Sequence, residues 1–209
     1  MPPPACTGGD VDSCRPCVGL FEIVAMASSA GGLNALAQVL SDLPAAFLPV
    51  VVVQHLDPRH RSLMAEILGR RTALQVCQAR EGDRVERGVV HIAPPDRHLL
   101  VNGDGRLSLT RTELVHFVRP SADLLFESVA ASYRERTIAV VLTGSGSDGE
   151  MGVRAVKKMG GLVIAQDRSS SEFFGMPGAA IDTGTVDMIL PLNEIAGALV
   201  DLAARGDGS

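Results

Sequence analysis

The sequence predicts an α/β fold, a doubly wound and largely parallel sheet carrying one antiparallel β-hairpin insertion. Three observations predict it. Apolar runs of the fully buried type, at residues 23–27, 49–53, 137–142 and 162–166, alternate with segments of helical period. The apolar residues are mainly Ala, Val, Leu and Ile: 46% of the chain is hydrophobic but only 3% aromatic, which suits a parallel sheet covered on both faces. Two of the apolar runs stop at glycine-containing turns, 28–32 and 143–149, that open helices. Strand-helix alternation with right-handed crossovers gives a Rossmann-like topology.

Each element has its own reason. Residues 1–19 hold three consecutive prolines and little apolar content, and read as a disordered tail or linker remnant. The folded unit is expected over 20–205. After the first strand, Leu33, Leu36, Val39 and Leu40 fall at helical spacing and form the predicted buried face. The second strand ends at Gln54-His55. Asp57-Pro58 stops it, and 62–70 reads as a short helix followed by a strand at 73–77. From 81 to 112 the period changes to that of short strands: 89–92, 98–101 and 107–110 form the expected antiparallel insertion, with Asn102-Gly103-Asp104-Gly105 as its turn. Ser121 is the expected N-cap of a helix carrying Leu124, Leu125, Val129 and Tyr133. Residues 150–159 form the next helix, ended by Gly160-Gly161. Residues 186–190 form the last strand and 193–204 a closing amphipathic helix.

Composition excludes several classes. A formal net charge of -5 opposes a broad nucleic-acid surface. The basic clusters at 59–71, 80–97 and 157–158 read as solvated faces. No apolar run approaches the roughly 18 residues of a membrane span, and no secretory signal opens the chain, so a cytoplasmic location is expected. Cys14 and Cys17 form a CxxC beside Cys6, and Cys77 stands alone. Outside a βαβ unit that spacing is a weak metal or redox signal.

The chemistry concentrates at strand ends. Ala27-Ser28-Ser29-Ala30-Gly31 is one residue short of the G-x-S-x-G nucleophile elbow, Ala27 standing for the first glycine. That makes Ser29 the candidate nucleophile, with backbone N–H groups near Ala30 and Gly31 as oxyanion donors; the competing reading is a helix-capping serine. His55, at the tip of the neighbouring strand, suits a general base; the competing reading is a core histidine. Asp148 suits the acceptor that orients an imidazole. The same loop, Gly144-x-Gly146-x-x-Gly149, also matches a dinucleotide fingerprint, with Asp167 where a ribose-binding acid would sit. From these residues alone both readings stay open.

Six ordered segments carry a resemblance: ASSAGG at 27–32, VVVQHL at 51–56, HIAPPDRHLLV at 91–101, RPSADLLFESVA at 119–130, LTGSGSDGEMGVRAVKKMGGLVIAQD at 142–167 and FFGMPGAAIDTGTVDMILP at 173–191. Together they resemble the catalytic domain of the chemotaxis protein-glutamate methylesterases, the CheB family, over about residues 21–203. The resemblance implies that Ser29, His55 and Asp148 form a Ser-His-Asp triad. It implies hydrolysis of glutamyl methyl esters, and deamidation of glutamines, on the cytoplasmic helical domain of methyl-accepting receptors, with no metal or organic cofactor. Two positions depart from the family: Ala27 replaces a usual Gly, and Ser145 replaces a usual Met lining the pocket. The family's usual form also carries a receiver domain before the esterase; only residues 1–19 stand there in this sequence, so activity without phosphorylation is expected, with a separate receiver or regulatory domain as a further partner. The readings that compete are a dinucleotide-binding module or dehydrogenase using Gly144, Gly146 and Gly149, and a non-catalytic receptor-binding module.

Overall fold

The structure, a computed structural model, describes residues 21–55 and 62–204. The expected tail at 1–19, with Cys6, Cys14 and Cys17, lies outside the described residues. Seven strands form one parallel sheet: β1 (Ile23–Ser28), β2 (Val50–Gln54), β3 (Gln75–Gln78), β4 (Val89–Ile92), β7 (Thr137–Val141), β8 (Leu162–Gln166) and β9 (Met188–Leu190). Their order is β3-β4-β2-β1-β7-β8-β9. β5 (His98–Val101) and β6 (Leu107–Thr110) form a separate antiparallel pair. The helices are α1 (Gly32–Ser41), α2 (Met64–Gly69), α3 (Ala122–Tyr133), α4 (Glu150–Lys158), α5 (Gly175–Asp182) and α6 (Leu192–Ala204).

The sheet divides the core by strand alternation. Val24 and Met26 of β1 join the side packed by α1, α2 and α6; Ile23, Ala25 and Ala27 join the side packed by α3, α4 and α5. Every residue of β1, β2 and β7 is buried, which explains their unbroken apolar runs. β1 sits between β2 and β7, and the chain leaves it first toward one edge and later toward the other. That reversal is a topological switch point, where α/β ligand sites form beyond the carboxyl ends of the strands.

Three expectations change. Residues 89–92 are not part of the antiparallel insertion: β4 pairs in parallel with β2 and β3, so only β5 and β6 make the hairpin. A four-residue strand alternates alike in either setting, and its partners are chosen by packing. Leu33 is 36% exposed, whereas Ala35 is buried, so the core face of α1 is rotated toward the small residues that let the helix approach the sheet. The Ser121 hydroxyl does not cap α3; what caps it instead belongs to the site.

Candidate active site

Parallel pairing sets Ser28 opposite Gln54 at the carboxyl edge of the sheet. Ser28 is fully buried, and its hydroxyl donates to Gln54 Oε1 at 2.6 Å. The amide of Gln54 donates in turn to Ser29 O at 2.7 Å and His55 O at 3.0 Å. Gln54 therefore ties the ends of β1 and β2 into one unit. Ser28 is committed to that bond, while Ser29 is half-buried at the turn. The Ser29 N–H donates to Thr143 O at 3.0 Å, and the turn closes through Gly32 N–H to Ser29 O at 2.9 Å.

Two glycines permit this turn. Gly31, the residue before α1, has φ 76°, a left-handed value that side chains beyond glycine tolerate poorly. A Cβ on Gly32 would lie 2.1 Å from Gln54 Oε1 and 2.7 Å from Ser28 Oγ, so the clamp needs a bare α-carbon there. On the facing loop, a Cβ on Gly144 would lie 2.9 Å from Ser29 Cβ. Loop 143–149 is thus packed directly against the serine. Thr143 fastens it, its hydroxyl lying 3.1 Å from Ala30 O and accepting the Phe173 N–H at 2.9 Å.

His55 Nε2 lies 2.8 Å from Asp148 Oδ2. His55 is 14% exposed and Asp148 only 4%. The carboxylate accepts three further bonds from the start of α3: Ser121 Oγ–H at 2.8 Å, Ala122 N–H at 2.6 Å and Asp123 N–H at 3.2 Å. Asp148 is therefore the cap of α3, supplied from another loop, and Ser121 donates to it rather than capping its own helix. Burial alone would push its carboxyl up. The bonds from His55, Ala122 and Asp123, with the charge of His55, outweigh burial and hold it below the ordinary carboxylate range. Asp123 goes the other way: burial pushes it up, against a bond from Gly152 N–H, and the charge of Asp148 adds to the rise.

Of the expected residues, the fold gathers Ser29, Ala30, Gly31, His55 and Asp148 at one sheet edge. Ser145 lies on the Asp148 loop and is exposed. Gln54, Thr143, Ser121 and Asp123 were missed by sequence reasoning. Gln54 carried a signal, a polar side chain closing a buried strand beside the histidine. Glu172 was also missed: a Cβ on Gly31 would lie 2.7 Å from its Oε2, so this exposed carboxylate rests against the turn.

A dinucleotide fits this edge poorly. The amino end of α4 is surrounded by Asp148, Asp123 and Glu150, and Asp123 Oδ1 takes the Gly152 N–H at 2.7 Å. Asp167, placed for a ribose, instead accepts from the N–H of Ser170 at 2.9 Å and its hydroxyl at 2.6 Å. Elsewhere, a cavity of about 610 Å³ beside edge strand β3 is lined by Cys77, Asp83 and His91. Burial and the nearby Asp83 push the Cys77 thiol up, which disfavours a nucleophile there. No cluster of three metal-ligating side chains occurs among the described residues.

A parallel α/β sheet whose switch point holds a serine turn, an imidazole and a buried carboxylate defines a class of domain with its working edge at the strand ends. The particular family follows from comparison. Residues 24–199 match the family model of the CheB methylesterase, and the chain belongs to that family. A Burkholderia orbicola protein-glutamate methylesterase/protein-glutamine glutaminase is 44% identical over 186 residues, 88% of this chain and 56% of that protein. A Leptospira interrogans protein is 38% identical over 177 residues, spanning 84% of this chain and 92% of its own length. The crystal structure of the Thermotoga maritima CheB methylesterase catalytic domain superposes with a TM-score of 0.84 at 38% identity, covering 87% of this chain and 98% of that one. No helix among the described residues is long and apolar enough to cross a membrane.

Proposed function

We propose that this chain is a protein-glutamate methylesterase acting through Ser29, His55 and Asp148, and that the unit over residues 20–205 carries the activity. Its substrate is a glutamyl methyl ester on the cytoplasmic helical domain of a methyl-accepting receptor, which places the enzyme in the cytoplasm; glutamine is deamidated by the same acyl chemistry. The observation that carries the reading is the 2.8 Å bond from His55 Nε2 to Asp148 Oδ2 at the strand edge that ends in Ser29. An ionised carboxylate only accepts, so Nε2 keeps its hydrogen and Nδ1 keeps the lone pair. Nδ1 is then the base.

The steps follow from that tautomer. Nδ1 takes the Ser29 proton as Oγ attacks the ester carbonyl. The N–H groups of Ala30 and Gly31 face the developing oxyanion; Ser29's own N–H is already given to Thr143 O. The imidazolium, stabilised by Asp148, protonates the departing methanol. Water, deprotonated by Nδ1, then attacks the acyl-enzyme and releases the glutamate carboxylate and Ser29. No electron transfer enters, so the cycle balances with ester and water alone.

Methanol release from methyl-labelled receptor membranes tests the proposal. Wild-type chain should release it and Ser29→Ala should not. Release that survives Ser29→Ala but vanishes in Ser28→Ala would overturn the assignment. Micromolar binding of NAD, NADP or FAD in calorimetry would overturn it in favour of the fingerprint reading of residues 144–149.

A further inference from the structure

The segment between β6 and α3 holds a feature that the hydrolytic chemistry leaves unused. Val115 and Val118 bond to each other in both directions, Val115 N–H to Val118 O at 3.2 Å and Val118 N–H to Val115 O at 2.9 Å. His116 and Phe117 form the two-residue tip, with φ 49° and 64°. A two-residue tip with both φ positive is the arrangement that favours Asn-Gly, because larger side chains are strained there. Here it carries an imidazole and a phenyl ring. Phe117 is 94% exposed, and Leu114 beside it 54%. A strained backbone that holds an aromatic ring out in water points to a role outside folding.

The tip is also anchored. Arg119 Nη1 donates to Thr112 O at 2.6 Å and its Nε to Asp96 Oδ1 at 2.9 Å, closing the base of the arm. His98 Nε2 lies 3.0 Å from Glu113 O while its Nδ1 accepts the Ser121 N–H at 3.2 Å, so one buried imidazole links the arm to the start of α3. His116 Nε2 reaches 3.3 Å from Asp123 Oδ2, a buried oxygen with no other partner among the described residues. Asp123 N–H in turn bonds Asp148. The arm is therefore tied, through two residues, to the carboxylate that holds His55. Its exposed flank is cationic: Arg97, Arg111 and Arg119 surround Asp96, and Arg111 is 63% exposed; Glu113 is also on the arm, and Asp123 is buried beneath His116.

We infer that residues 111–119 are a docking arm for the acidic amphipathic helix that bears the glutamyl ester, Phe117 seating between its apolar side chains and Arg111 facing its carboxylates. The inference rests on the proposed methylesterase reading. A methyl ester offers little to grip, so a protein substrate must be held by surface away from the reacting bond. An exposed aromatic anchor fixed beside the reacting edge supplies that grip at low entropic loss.

Phe117→Gly is the test, because it removes the ring and relieves the left-handed strain together, so the melting temperature should hold or rise. We expect kcat/KM on methyl-labelled receptor to fall about tenfold or more, with 4-nitrophenyl acetate hydrolysis within about twofold of wild type. Phe117→Leu should recover most of the loss, and Arg111→Glu should weaken receptor hydrolysis most at low salt. Equal receptor hydrolysis by wild type and Phe117→Gly would overturn the arm alone. A wild-type chain inactive on receptor but active on the small ester would overturn the receptor reading and the arm with it. Concentration-dependent dimers in sedimentation that disappear in Phe117→Gly, with receptor hydrolysis unchanged, would assign the tip to self-association instead.

Discussion

Replacing Asp148 by Asn keeps the shape of the side chain and removes its charge. The carboxylate receives four donors: the His55 imidazole, the Ser121 hydroxyl and the N–H groups of Ala122 and Asp123. They divide two per oxygen, so whichever oxygen becomes NH₂ leaves two donors facing a donor. A buried donor left unpaired costs about 1–3 kcal/mol, and loss of a charge at a helix start adds about 0.5–1 kcal/mol. Small shifts of the amide and its donors offset part of this, giving an expected loss of about 2–4 kcal/mol. Catalysis should fall about 10⁴-fold, the scale seen when a triad carboxylate elsewhere is made an amide, because the imidazole loses its tautomer and support. The pH dependence has a definite sign. The folded-state carboxyl sits below its ordinary value, so its stabilisation is full above the unfolded carboxylate range and is lost as pH falls through the lower folded value. Urea unfolding of wild type and Asp148→Asn, run from neutral pH downward, should show a gap that closes in acid. A gap under 0.5 kcal/mol at pH 7, or one that stays constant down to about pH 3, would refute the capping argument.

Further outcomes follow from the same geometry. Asp123 has the opposite sign: burial and Asp148 raise its carboxyl, so its charge opposes folding increasingly as pH rises from the ordinary range through the raised value. Asp123→Asn, which can still accept the Gly152 N–H, should match or exceed wild-type stability at pH 7 by thermal denaturation; a loss above about 2 kcal/mol would show that the His116 contact outweighs burial. Gln54→Leu should leave His55 O without its Gln54 donor and Ser29 O with the Gly32 N–H alone, lowering stability by about 1–3 kcal/mol and reducing kcat more than KM in ester hydrolysis; unchanged kcat would remove Gln54 from the positioning of the site. Ser28→Ala should retain methanol release and lose about 1 kcal/mol of stability, measured in the same denaturant series. Gly144→Ala should lower kcat, because its Cβ would press on Ser29 Cβ and on Met176 Sδ at 2.4 Å; wild-type kinetics would show that the loop yields freely.

The sequence by itself determined what depends on local pattern. Long apolar runs made β1, β2, β7 and β8 legible, because a strand buried on both faces admits little else. Glycine and serine at the ends of those runs marked the turns, and the order of segments marked the family. What only the tertiary structure decided depends on partners distant along the chain. β4 joined the main sheet because β2 and β3 offered it parallel edges, a choice invisible in four residues. The cap of α3 passed from Ser121 to Asp148, 27 positions away, because an ionised carboxylate satisfies several helix-end donors where a hydroxyl satisfies one. Gln54 became the clamp of the serine turn because parallel register set it beside Ser28. Pattern reports which residues are buried and where a chain turns; which polar groups satisfy one another is settled only when the strands lie side by side.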